Sequence, residues 1–182
     1  MDKRFCSYCG TATEMRVPEG EHQLRRVCPN CGAVHYENPL VVVGCVPEYQ
    51  GRILLCRRAI EPRRGYWTLP AGFMENGETL EAGAARECHE EALASVDILS
   101  LLAVISIPDA HQVHVFFRAR LRDGQFGAGV ESLEVRLADA ADIPWADIAF
   151  PSTQYALQRY LEDRAAGSHE VHLTTLERRL PG

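Results

Sequence analysis

The stretch GFMENGETLEAGAARECHEEALA, residues 72–94, holds Glu75, Glu78, Glu81, Glu87, Glu90 and Glu91, the last three crowded together. Thr79 to about Ala92 reads as a helix. Like charges four residues apart destabilise a helix by about a few tenths of a kcal/mol per pair, so the crowding needs a reason. With Leu80 at zero and about 100° per residue, Ala84, Cys88, Ala92 and Ala85 fall between roughly 40° and 140°. They make a small-residue face for a core. Glu91, Glu87 and Glu90 fall at about 20°, 340° and 280°, along the border of that face rather than opposite it. Carboxylates crowded against an apolar wall raise one another's pKa unless a cation sits among them. Hard ions such as Mg²⁺ or Mn²⁺ take oxygen ligands of this kind and serve phosphoryl chemistry. Spacing alone leaves two readings open, an incidental acidic helix or a divalent-cation site.

Strand signals flank the helix. The runs LVVVGCVPEY and GRILLCRRA, separated by a turn-like YQG, suggest a hairpin, and YWTLPAGF reads as one short strand. DILSLLAVISIP, VHVFFRARL and SLEVRLAD are further strands, and STQYALQRYLEDRAAG is an amphipathic helix with Tyr155, Leu157, Tyr160 and Leu161 on its apolar side. Strands mixed with two helices predict an α/β (α+β) layered domain with helices on the sheet faces.

The N-terminal region is organised differently. Cys6 and Cys9 form one C-x-x-C pair and Cys28 and Cys31 a second, each followed by glycine, Gly10 and Gly32. The separation lies inside the range of about 15–20 residues typical of zinc sites, and four thiolates suit tetrahedral Zn²⁺. Glycine after each pair lets the backbone turn tightly enough for amides to face the sulfurs. Two disulfides are disfavoured, because no signal peptide is visible in the polar first ten residues and Cys45, Cys56 and Cys88 read as free core thiols. No βαβ pattern surrounds either pair, which argues against redox catalysis. A segment this short lacks a core of its own, so the metal is structural.

The organisation expected is a zinc ribbon at 1–36, a main domain at 37–166 and a C-terminal tail at 167–182 without a clear pattern. The chain has 182 residues, a net charge of −6 and a pI near 5.6. That balance speaks against whole-chain attraction to nucleic acid or an anionic membrane, and the ribbon mixes arginines with glutamates rather than forming a basic stripe. The longest apolar runs fall far short of the roughly 20 residues that span a bilayer. A cytoplasmic protein without membrane or nucleic-acid partners is expected.

Residues 72–94 resemble the Nudix box, G-x5-E-x7-R-E-U-x-E-E-x-G-U. Gly72, Glu78, Arg86, Glu87, Glu90 and Glu91 align without a gap, with Cys88 and Ala94 at the aliphatic positions. Leu93 stands where the pattern has glycine, which suggests a different helix exit. A four-cysteine ribbon ahead of the box, followed by HYENPLVVVGCV, is similar to the zinc-ribbon Nudix hydrolases. These include NADH diphosphatases and a group related to FAD diphosphatases and ADP-ribose hydrolases. NADH diphosphatases usually carry S-Q-P-W-P-F-P after the box; the corresponding stretch here is VISIPDAHQVHVFF.

The resemblance implies an α/β/α sandwich with a mixed sheet. It also implies a Mg²⁺- or Mn²⁺-dependent diphosphatase acting on a nucleotide-sugar or dinucleotide such as ADP-ribose or FAD, and releasing AMP. Glu87, Glu90, Glu91 and the Ala71 carbonyl would hold the metal, and Arg86 with Glu78 would brace the loop. Glu131, or Glu134 as second choice, would act as ligand or general base. Of Arg57 and Arg58, on opposite faces of their strand, Arg58 is the one expected to meet phosphate. Tyr36, Tyr66, Trp67, Phe73 and Phe117 could stack a planar base. His111 and His114 read as surface or core residues. Family likeness also implies a homodimer. Two rival readings are an NADH diphosphatase and a catalytically silent regulator contacting nucleic acid or protein; such a regulator should lose the box carboxylates, and this chain keeps them.

Overall fold

The structure, a computed structural model, describes residues 3–177, and the chain divides into two compact units between Asn38 and Pro39. Unit one is a ribbon of three short antiparallel strands, β1 (Glu14–Arg16), β2 (Arg25–Val27) and β3 (Val34–His35). Its knuckles bring the four cysteine sulfurs within 4.8 Å of one another. Three Sγ–Sγ separations are 3.5, 3.6 and 3.7 Å. Four sulfurs around one zinc at about 2.3 Å would sit about 3.8 Å apart, so the cluster is dimensioned for that ion. Gly10 and Gly32 take left-handed φ values of 73° and 75°, closing each knuckle as the paired glycines suggest.

Unit two is built on an eight-stranded mixed sheet. In sequence order it contains β4 (Leu40–Tyr49), β5 (Arg52–Arg58), β6 (Trp67–Thr68), β7 (Ala71–Phe73), β8 (Val96–Ile107), β9 (Gln112–Leu121), β10 (Ser132–Ala138) and β11 (His172–Thr175). The main order is β10-β5-β4-β9-β8-β11, with β6 on β5 and β7 on β4. β4 runs parallel to β9 and β11 parallel to β8; the other pairs are antiparallel. The stretch expected as one strand breaks at Leu69-Pro70. Proline cannot donate to a ladder, and there the chain passes from pairing with β5 to pairing with β4.

Helix α1 (Leu80–Ala92) covers one sheet face and α2 (Pro151–Ala166) joins the core on the other. α1 contributes Ala84 and Cys88 to a cluster with Val43, Cys45, Leu54, Cys56 and Phe117; α2 contributes Leu157 and Tyr160 to one with Val46, Ile53, Leu55 and Phe116. Alternation along β4 and β5 splits these two sets, as the pleat requires. The three thiols outside the ribbon, Cys45, Cys56 and Cys88, are buried, matching their reading as core residues. Residues 168–177, unassigned from sequence, add β11 at the sheet edge. They are held by a buried cluster in which Arg118 donates to Asp163 and to the Glu170 carbonyl while His172 meets Asp163. Among the described residues no helix is long and apolar enough to cross a membrane.

Candidate active site

Thr79 caps α1, its hydroxyl accepting from the Ala82 amide at 3.1 Å. Helical spacing then places Glu87 and Glu91 one turn apart, with only 8% and 6% of each exposed, while Glu90 faces outward. The two carboxylates therefore sit inside the wall, deeper than the border position inferred from the helical wheel. β7 is the other side of the wall. A Cβ on Gly72 would lie 2.4 Å from both Glu87 carboxylate oxygens, so glycine lets the carboxylate lie against the strand and a larger residue would push it aside.

Arg86 ties the loop to the helix. It donates to Glu78 through Nε and Nη2 at 3.0 and 2.9 Å, to the Phe73 carbonyl at 3.1 Å, to Glu87 at 2.7 Å and to Glu90 at 3.0 Å. These bonds and the Glu75 amide hold Glu78 down to about 2, so it stays a carboxylate. Glu91 moves the other way. Burial first, and then the Glu87 charge, push it up to about 8, against the pull of the Ala71 amide and of Arg58. Burial also raises Glu87. One Glu91 oxygen, Oε2, is buried with no partner. The Ala71 N–H meets this carboxylate, and in a strand the carbonyl of the same residue lies on the same edge.

Two raised carboxylates, one of them with an orphaned oxygen, and a carbonyl on the same edge form a hard oxygen donor set. They do not converge as tightly as the ribbon cysteines, the one group of at least three such side chains within 4.8 Å among the described residues. Mg²⁺ characteristically keeps several waters and is held by one or two carboxylates plus substrate phosphates, so the looser spacing suits it.

The two downstream glutamates are both exposed, and they differ in what they act on. The Glu131 charge raises both Glu87 and Glu91, whereas Glu134 pairs with Arg57 at 3.7 Å. The arginines divide too. Arg58 acts on Glu91, while its Nε donates to the Pro62 carbonyl and its guanidinium lies 5.0 Å from the Phe150 ring centre. Arg57 is bound to the Gly65 carbonyl. Of the aromatic candidates, Phe117 and Trp67 are buried in the core, Phe73 is exposed, Tyr66 carries Arg63 over its ring and Tyr36 belongs to the ribbon. Phe150, absent from the sequence candidates, flanks Arg58; nothing in IAFPS signals this, since tertiary packing brings it there. His114 is pushed down to about 4 by burial and bonded to Ser152 and Gln112, and His111 is exposed at a turn.

Leu93 corrects an expectation. It adopts the left-handed conformation, φ 48° and ψ 27°, with its amide on the His89 carbonyl. The helix exits as a glycine would allow, with leucine bearing the strain.

Comparison with known proteins places the whole arrangement. The NUDIX domain family matches residues 38–159, and the Nudix N-terminal zinc-ribbon family matches residues 4–37. This chain belongs to the Nudix family. A NUDIX hydrolase crystal structure from Nitrosomonas europaea is 52% identical, with a TM-score of 0.93 over 96% of this chain and 99% of that one. An ADP-ribose pyrophosphatase from Methanocaldococcus jannaschii is 34% identical over 113 residues, 60% of this chain and 67% of that protein. A NAD-capped RNA hydrolase NudC from Chromobacterium violaceum is 33% identical over 147 residues, 80% of this chain and 50% of that protein. The chain spans about half the length of the NudC relatives it matches. Nudix hydrolases are enzymes acting on acid anhydrides with Mg²⁺ or Mn²⁺, and this chain carries that domain together with a ribbon sized for structural zinc.

Proposed function

We propose that this Nudix hydrolase cleaves the diphosphate of an ADP moiety linked to a second group, with ADP-ribose foremost and FAD in the same class. The observation that carries the reading is the buried Glu87–Glu91 pair with its unpartnered oxygen, pressed against Gly72 on β7; we read it as a cation site. The relative named ADP-ribose pyrophosphatase supports the substrate class. Absence of S-Q-P-W-P-F-P after the box speaks against reduced NADH as the main substrate.

Glu87, Glu91 and the Ala71 carbonyl would hold Mg²⁺ or Mn²⁺, with Glu90 reached from the exposed side. When bound, the ion offsets diphosphate charge and makes a water more acidic. Glu131 accepts the proton as water oxygen bonds to one phosphorus and the bridging P–O bond breaks, its electrons leaving with the second phosphate. Arg86 and Glu78 keep the loop between β7 and α1 seated on the helix. Arg58 faces the anionic substrate, its charge already near Glu91. ADP-ribose then gives AMP and ribose 5-phosphate; FAD gives AMP and FMN.

Chromatography of products from ADP-ribose, FAD, NADH, NAD and diadenosine polyphosphates with Mg²⁺ or Mn²⁺ tests the assignment. AMP from ADP-ribose or FAD at rates well above NADH is expected; no turnover of any of them defeats the reading. The free cysteines support a reducing, cytoplasmic setting. The homodimer implied by family likeness belongs to the same proposal and is tested by sedimentation.

A further inference from the structure

The last four carbonyls of a helix lack partners within it. At the end of α1, the His89 carbonyl is met by the Leu93 amide, and two of the others are met by a distant segment. The Gly127 amide donates to the Ala92 carbonyl at 2.8 Å and the Gly129 amide to the Glu91 carbonyl at 3.1 Å. Contact at Gly129 is extreme: a Cβ there would lie 1.8 Å from the Glu90 carbonyl oxygen and 2.9 Å from its carbon. Both atoms are backbone, so no side chain can rotate to make room. At Gly127 the nearest neighbour of such a Cβ is the Leu93 Cδ1 at 3.5 Å, ordinary contact.

The same segment delivers a carboxylate. The Ser132 amide closes on the Gly129 carbonyl at 3.1 Å, and the Ala59 amide bonds the Glu131 carbonyl at 2.8 Å. Glu131 is thus fixed on one side to the helix that carries Glu87 and Glu91, and on the other to the end of β5, next to Arg58. Between the anchors Val130 is 96% exposed and holds nothing.

We infer that Gly129 is a positioning residue: its missing Cβ lets residues 127–131 seat on the end of α1, and that seating aims Glu131 at the two buried carboxylates. The inference rests on the diphosphatase reading above for what Glu131 does, but the seating itself stands apart from it. The carboxylate trio is assembled by backbone contact between a loop and the end of the catalytic helix, so Glu131 moves when the loop lifts.

The test compares Gly129→Ala, Gly127→Ala, Glu131→Gln and the double variant Gly129→Ala/Glu131→Gln in the full zinc-loaded chain. Hydrogen exchange reads the seating without catalysis. Wild type and Gly127→Ala should protect the amides of residues 127 and 129, and Gly129→Ala should lose that protection while the amides of β4 and β9 keep theirs. With ADP-ribose and Mg²⁺, Gly129→Ala should lower kcat by roughly 10–100-fold, the scale of an ångström-sized misplacement, with little change in KM. Gly127→Ala should stay near wild type. The double variant should be no slower than Glu131→Gln alone, because the two act through one carboxylate. Additive losses, or retained protection and rate in Gly129→Ala, overturn the inference. A wild type that hydrolyses none of the substrates refutes the functional reading instead, while exchange still decides the seating. If Gly129→Ala does not fold, Val130→Gly carries the test. It removes no contact but loosens the link to Glu131, and unchanged kcat in it refutes the positioning role.

Discussion

Replacing Glu91 by glutamine should make the metal-free protein more stable at neutral and alkaline pH while abolishing its response to Mn²⁺. Glu91 is 6% exposed and its carboxyl is raised from 4.5 to about 8, chiefly by burial. Below pH 4.5 it carries its proton both folded and unfolded, and stability is unaffected. Between 4.5 and about 8 the unfolded chain ionises while the fold keeps its proton, so stability falls as pH rises and levels off above 8. At about 1.4 kcal/mol per pH unit, that window amounts to roughly 5 kcal/mol at most. With relaxation and water entry an expected loss of about 2–4 kcal/mol is reasonable. For a chain of this size it corresponds to a Tm change on the order of 5–10 °C.

Thermal unfolding from pH 5 to 8.5, in protein freed of Mg²⁺ and Mn²⁺ without stripping zinc, should show this decline in wild type. Glu91→Gln should give a flatter curve. Mn²⁺ at pH 8 and a hundred times its Kd should restore about 2.7 kcal/mol to wild type and little to the variant. Parallel pH curves, or equal stabilisation of both proteins by Mn²⁺, would refute the idea that this carboxylate is held for a cation.

Three further outcomes are expected. Asp163→Asn leaves the Arg118 guanidinium buried without its counter-charge, so denaturant unfolding should register a loss of about 3–5 kcal/mol and exchange should show β11 released. Leu93→Gly relieves a left-handed leucine that is 52% exposed, and Tm should rise by about 2–4 °C for roughly 1 kcal/mol gained; a fall instead would show that the leucine side chain contributes more than its backbone costs. Chelation, or Cys9→Ser, should release one zinc per chain and unfold the ribbon, read as lost exchange protection in residues 14–35, while the amides of β4 and β9 stay protected.

Much of this molecule was legible in one dimension. The hairpin of β4 and β5, the extents of α1 and α2 and the four-thiol knuckles follow from periodicity, capping and short spacings, which act over a few residues. The box also placed Arg86 beside Glu78 and put Glu87 and Glu91 on one helix edge. Wheel geometry stopped at the border of the core, however. The close approach of Gly72 on β7 is what turns that border into a buried site, and it depends on strand pairing rather than on the helix.

Sequence by itself determined where the ionisable groups lie, which face of α1 is apolar and that four cysteines share a site, because each is encoded within a turn or a short loop; whether Glu91 is charged is set by its burial in the fold. The sequence ranked Glu131 over Glu134 and Arg58 over Arg57 without a contact to argue from; only the tertiary structure pairs Glu134 and the Gly65 carbonyl with Arg57, lets the charges of Glu131 and Arg58 act on Glu91, and sets Phe150 beside Arg58. Those choices hang on sheet register and on one loop docking against a helix end. Residues far apart in the chain, such as Glu91 with Gly129 and Arg58 with Ser132, are brought together there by backbone contacts that leave no local pattern.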